Sequence, residues 1–210
     1  MASRLGPDDV LLAAAASREA LFPAVKDDWS VRAGDLEWSC HRTLDHIASA
    51  LLGYARNLAS RATERLPTVR SEDPDQPPFE LLTVMESLAA VLAEVARAVP
   101  PDTRAYHSAG MADVSGFIAM GCDETLIHTA DIAQGLHRPF HPPDDLCARV
   151  AVRLFPWAPS GFSGWETLRW ANGRAALPGH DRLGPDWSWH CAPLAEWDGT
   201  VKKSQMWMGR

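Results

Sequence analysis

Apolar residues recur at helical spacing in four long stretches of this chain. In the first, Pro7 to Phe22, one face is supplied by Leu11, Leu12, Ala15, Ala16, Ala20 and Leu21, and Pro23 marks the end. Trp38 then precedes Ser39, a good N-cap. From about Cys40 to Ala62 the residues Leu44, Ile47, Ala48, Leu51, Ala55 and Leu58 make the strongest amphipathic pattern in the sequence. A polar, proline-rich linker, Pro67 to Pro78, leads to a third stripe from Phe79 to Val99 (Leu82, Met85, Leu88, Ala89, Leu92, Val95), which Pro100 and Pro101 stop. After a loop containing His107 and Gly110, a fourth stretch runs from Val114 to Leu136. Four helices of this length and connection pattern predict a helical bundle.

Beyond His137 the pattern changes. A short helix is expected over Asp144 to Leu154, and the chain then becomes dense in Trp, Gly and Pro: seven of its nine tryptophans lie between Trp157 and Trp207. Asn172-Gly173 is a two-residue hairpin signal, which makes Thr167 to Ala171 and Arg174 to Leu177 candidate strands, with Trp187 to Ala192 a possible third. The expectation is a mainly α protein with a small antiparallel β element in its C-terminal extension. Its two units would be residues 1–142 and 143–210, and there is no internal repeat.

Composition narrows the function. With 210 residues, 46% of them hydrophobic, the chain can bury a proper core. Its net charge of −7, from 20 Lys plus Arg against 27 Asp plus Glu, and its lack of a basic run argue against a nucleic-acid partner. No apolar run approaches the roughly 20 residues that cross a bilayer, and the amino terminus lacks the pattern of a signal peptide. A soluble cytoplasmic protein without a membrane partner is the expectation. Cys40, Cys122, Cys147 and Cys191 form no CxxC pair and are expected to be reduced thiols.

The stretch Gly121 to Gly135 carries the candidate chemistry. Glu124, His128 and Asp131 recur four and three residues apart, so a helix places them on one face. A Glu and a His at i and i+4 suit two ligands of one metal ion, with Asp131 placed to fix the imidazole tautomer; a hydrogen-bonded pair lining a wet groove would use the same spacing. His46 lies off the main apolar stripe of its helix, beside Ala50 and Gly53, and faces either solvent or a second interface with room. Gly161-Phe-Ser163-Gly-Trp165 lacks the final glycine of a nucleophile elbow, and His137 and His141 sit at a helix exit, where capping or surface roles suffice.

Trp38, then Thr43-Leu44-Asp45-His46-Ile47-Ala48, and about eighty residues later Glu124-Thr-Leu-Ile-His128-Thr-Ala-Asp131-Ile-Ala resemble the DinB-like superfamily of four-helix metalloproteins. Within it the chain is most similar to the mycothiol-dependent maleylpyruvate isomerase branch, over about residues 5 to 142. The resemblance implies an up-down four-helix bundle and a divalent metal, zinc first and nickel, iron or manganese as alternatives, held by His46, Glu124 and His128. Asp131 matches the motif's acidic residue. The family's larger C-terminal domain contributes a substrate-binding arginine; Arg174 is taken for that role, with Arg169 and Arg182 as further candidates.

Two imidazoles and one carboxylate leave a fourth position open on a tetrahedral ion, where a thiol loses its proton at neutral pH. The implied activity is that of a thiol-dependent isomerase or S-transferase acting on a small electrophile, with mycothiol as the thiol, in a monomer or homodimer. Two other readings stay open: a hydrolase using a metal-bound water, and a non-enzymatic metal-binding bundle.

Overall fold

A computed structural model describes residues 5–70 and 73–204 of the chain. The protein is mainly α with one two-stranded antiparallel sheet. The elements are α1 (Pro7–Leu21), α2 (Cys40–Ser60), α3 (Pro78–Ala98), β1 (Arg104–His107), β2 (Gly110–Asp113), α4 (Val114–Gly135), α5 (Asp144–Leu154) and α6 (Gly164–Ala171), with single 3-10 turns at Phe22–Ala24 and Leu194–Glu196. No helix among the described residues is long and apolar enough to cross a membrane. Trp207, one of the tryptophans counted above, lies outside them.

Local chemistry explains where the helices begin. Pro7 occupies the first turn of α1, where a missing N–H costs nothing, and the Asp9 carboxylate accepts the Gly6 N–H at 2.8 Å. Ser39 caps α2 by accepting the Arg42 N–H, and Asp113 caps α4 by accepting the Gly116 N–H at 2.7 Å. Pro77 and Pro78 open α3, and Pro100 follows its end.

The two helices α1 and α2 each pack on both α3 and α4, while α5 and α6 cover α4 from another side. The α4 helix is therefore central, with 15 of its 22 residues buried. Its closest approaches need glycine: a Cβ at Gly135 would lie 2.2 Å from the Arg32 carbonyl oxygen, and one at Gly116 would lie 2.2 Å from the Cys191 carbonyl oxygen. The buried hydrophobic cluster is continuous from Leu44 and Leu51 of α2 through Phe117 and Leu126 of α4 to Leu146 and Leu168 in α5 and α6. The expected boundary at residues 142 and 143 falls in the loop before α5.

The C-terminal hairpin expected around Asn172-Gly173 does not form. Thr167 to Ala171 belongs to α6, Asn172 is its C-cap, and Gly173 adopts φ 64° while its N–H donates to the Trp170 carbonyl. A glycine in the left-handed region serves a helix C-terminus as well as a type I′ turn, so the dipeptide alone does not choose between them. Leu177 and His180 form an isolated bridge, and Trp187 pairs only with Lys203, so neither expected strand continues there. The sheet lies instead in the stretch read as a loop: Arg104 pairs with Asp113 and His107 with Gly110 across the two-residue turn Ser108-Ala109. Two four-residue strands are too short to show a period of two above noise.

The C-terminal segment is tied to this framework by buried polar groups. Arg153 of α5 binds Ser115 and Asp113 at the start of α4 and the backbone carbonyls of His190 and Cys191. All four cysteines are buried and free.

Candidate metal centre

One carboxylate oxygen is the focus of the site. Glu124 Oε2 on α4 lies 3.2 Å from His46 Nε2 on α2 and 3.2 Å from His128 Nε2 one turn along α4. The three donor atoms all lie within 4.8 Å of one another, and the two imidazole rings meet edge to face at 5.1 Å. Ligand atoms roughly 2.0 Å from a tetrahedral zinc stand about 3.3 Å apart. Both Glu124–His separations match that edge, and two neutral imidazoles with a carboxylate form a chemically ordinary donor set for a divalent ion. His46 is thus at the second interface and not turned wholly to solvent: its ring packs on Trp38 at 5.1 Å while its side chain stays 34% exposed.

A chain of polar groups stands behind these donors. His128 Nδ1 meets Asp131 Oδ2 at 3.0 Å, leaving Nε2 for the cluster, and Asp131 in turn accepts from Arg174 Nε at 2.9 Å and Nη2 at 2.8 Å. A carboxylate behind a histidine fixes its ring and raises its basicity. Arg174 also donates to the Asn172 carbonyl at 3.1 Å. The structure therefore places Arg174 against Asp131, in the line that orients His128. Arg169 stacks on Trp165, and Arg182 pairs with Asp35.

Glu124 is held from its other side as well. The Tyr54 hydroxyl donates to Oε1 at 3.1 Å, which turns Oε2 toward both histidines. Burial works against a charged Glu124, but the charge of His46 and the hydrogen bonds from His128 and His46 hold the carboxyl well below its ordinary range. Burial also disfavours protonated His128; the hydrogen bonds to Asp131 and Glu124 outweigh it and lift the imidazole up to about 9. Without a metal the cluster is a charged carboxylate hydrogen-bonded to both imidazoles, with a proton held on His128.

Four participants carry no local sequence signal. Tyr54 reads as part of the apolar face of α2. Asp123, next to Glu124 but on the opposite side, is buried and accepts from Asn172 Nδ2 at 2.8 Å and Trp189 Nε1 at 2.9 Å. Burial raises its carboxyl to about 7, the hydrogen bond from Asn172 opposing and the Glu124 charge adding. His107 and Trp189 stack at 5.5 Å and line a cavity of about 920 Å³ between the β1–β2 turn and the C-terminal segment, with Arg174 and Asn172 also in its wall.

The other sequence candidates lie elsewhere. Ser163 is the N-cap of α6, its hydroxyl accepting the Glu166 N–H, and so has no nucleophile's setting. His137 and His141 are exposed in the loop after α4, with His137 in the left-handed region. Comparison with protein-family models, curated proteins and solved structures finds no match to this chain.

Proposed function

We propose that the protein is a divalent-metal-dependent enzyme of the DinB-like four-helix-bundle type, using a low-molecular-weight thiol to isomerise or S-substitute a small electrophile. The observation that carries the reading is the convergence of His46 Nε2, Glu124 Oε2 and His128 Nε2, contributed by two helices, with Asp131 and Arg174 locking one ring behind them. The packing of α1 and α2 on both α3 and α4 supports a four-helix bundle, but one in which α1 and α2 face each other across its diagonal and not the simple up-down order of neighbours that the resemblance implies. Zinc is the ion that best suits two imidazoles and one carboxylate with a position left open.

An ion held there supplies acidification of a fourth ligand, a thiol or a water. The chain's own groups have distinct tasks. Tyr54 holds Glu124 Oε1 so that Oε2 faces the histidines, Asp131 keeps the His128 proton on Nδ1, and the half-exposed edge of His46 leaves one side open for reactants. A thiolate that adds to an activated double bond and is expelled after rotation isomerises it and returns the thiol. Displacement of a leaving group gives an S-conjugate. Mycothiol as the thiol rests on the sequence resemblance alone.

The test is turnover of an activated cis-alkene by metal-loaded protein, with mycothiol, with glutathione and without thiol. The proposal expects strict thiol dependence and its loss in His128→Ala. Ester or amide hydrolysis without thiol would favour an ion that activates water. Absence of any metal-dependent turnover would leave a binding protein.

A further inference from the structure

His107 ends β1 at the mouth of the tight turn, and its Nδ1 accepts the Ala109 N–H at 3.1 Å. In the neutral ring the proton is therefore on Nε2. Two aromatic neighbours clamp the ring: Tyr54 at 5.6 Å, anchored to Glu124, and Trp189 at 5.5 Å, anchored to Asp123. Its orientation is thus set by α4 from both sides. The bond through Nδ1 is the one hydrogen bond of this ring to the described residues, and His107 forms part of the wall of the 920 Å³ cavity.

The remainder of that wall is suited to an acceptor. It includes Arg182, Lys202 and Lys203 and no Asp or Glu side chain, in a chain whose net charge is −7. Each of these cations has a carboxylate partner outside the lining, Asp35, Asp198 and Asp186 respectively. Paired in this way they add little net charge to the wall, and the fixed His107 ring is a donor available within it. Burial, only partly offset by the Glu124 charge, lowers the His107 imidazole to about 4, so the ring is uncharged at neutral pH. A neutral imidazole that donates one N–H is a known way to polarise a carbonyl oxygen.

We propose that His107 is a ligand-facing residue whose fixed Nε2–H donates to a carbonyl or carboxylate oxygen of a small molecule bound in this cavity. The inference goes beyond the metalloenzyme reading and needs neither metal nor turnover for its test. Protein with ¹⁵N-labelled histidine, freed of metal by chelation, is titrated at neutral pH with benzoate and benzamide, with aniline as a planar control lacking the oxygen. The expected result is an Nε2–H tautomer for His107 and a saturable shift of its Nε2 resonance by the two oxygen probes and not by aniline.

Two variants accompany the wild type. His107→Phe keeps the ring stack and should weaken benzoate about tenfold, the value of one hydrogen bond. His107→Gln, which restores an N–H near Nε2, should recover most of the loss. An Nδ1–H tautomer, a His107 signal that neither oxygen probe moves, or equal benzoate binding by wild type and His107→Phe would overturn the proposal. Folding of each variant is checked by the Trp189 indole resonance, which reports the intact contact with Asp123.

Discussion

The His46–Glu124–His128 cluster and the cavity wall beside it are built on different principles. The donors His46, Glu124 and His128 project from two helices whose backbones are fixed by their own hydrogen bonds and by burial on both sides. The C-terminal part of the wall, from Asn172 to Ser204, contains no strand among its described residues and only one short helical turn. A few long-range polar bonds hold it: Arg174 on Asp131, Asn172 and Trp189 on Asp123. Removing one donor residue from a helix leaves the helix in place, whereas removing one tether frees a loop. The centre should therefore tolerate substitution structurally and fail chemically, and the wall should do the reverse.

The largest effect is expected where the two regions share a residue. Asp131→Ala leaves Arg174 without its partner in a half-buried setting and His128 without its orienting carboxylate. It should cost about 3 kcal/mol in denaturant unfolding and weaken metal binding by 10- to 100-fold, measured by competition with a chromophoric chelator. If stability and metal affinity did not fall together, the two regions would not be joined through this carboxylate.

Asp123→Ala separates them. It removes the shared acceptor of the buried Asn172 amide, which keeps its bond to the Leu168 carbonyl, and of the part-buried Trp189 indole, and should cost about 2 kcal/mol. Tryptophan fluorescence and hydrogen exchange should report loosening after residue 172, while metal stoichiometry stays at the wild-type value. Loss of metal in this variant would mean that the wall, and not the helix pair, shapes the centre.

Tyr54→Phe acts on the centre alone. It removes one hydrogen bond to Glu124, worth about 1 kcal/mol, and should lower metal affinity about tenfold with little change at the wall. The smallest signal is a proton count. In the metal-free protein His128 is held above its ordinary value, so the stabilisation from its charged form is present below about pH 6.5 and lost as pH rises through about 9. Loading at pH 7 should then release about one proton per ion, falling toward none above pH 9, as read by calorimetry in buffers of different ionisation enthalpy.

The same contrast explains how much was legible in the sequence. Helical periodicity is local, and Ser39, Asp113 and the prolines punctuate it, so the long helices and the shared face of Glu124, His128 and Asp131 follow from residues near one another. The spacing of His46 leaves its direction open, and only the resemblance puts it in the set. Nothing near Tyr54, Asp123 or His107 announces a place at the site; Tyr54 and Asp123 acquire their polar contacts, and His107 its aromatic neighbours, only when α2, the β1–β2 turn and the C-terminal segment meet α4. Asn172-Gly173 misled for a related reason: the left-handed glycine is encoded locally, but whether a helix or a hairpin uses it depends on the packing of Trp170 and Ala171 against the core.

The central claim, that His46, Glu124 and His128 hold one ion, is tested most directly by elemental analysis of wild-type protein beside His46→Ala, Glu124→Ala and His128→Ala. The account predicts about one equivalent of divalent metal, zinc foremost, in the wild type, and loss to under about one tenth in each variant with folding retained. A wild type that holds no metal after exposure to zinc, nickel, iron and manganese, or variants that keep the wild-type content, would contradict it.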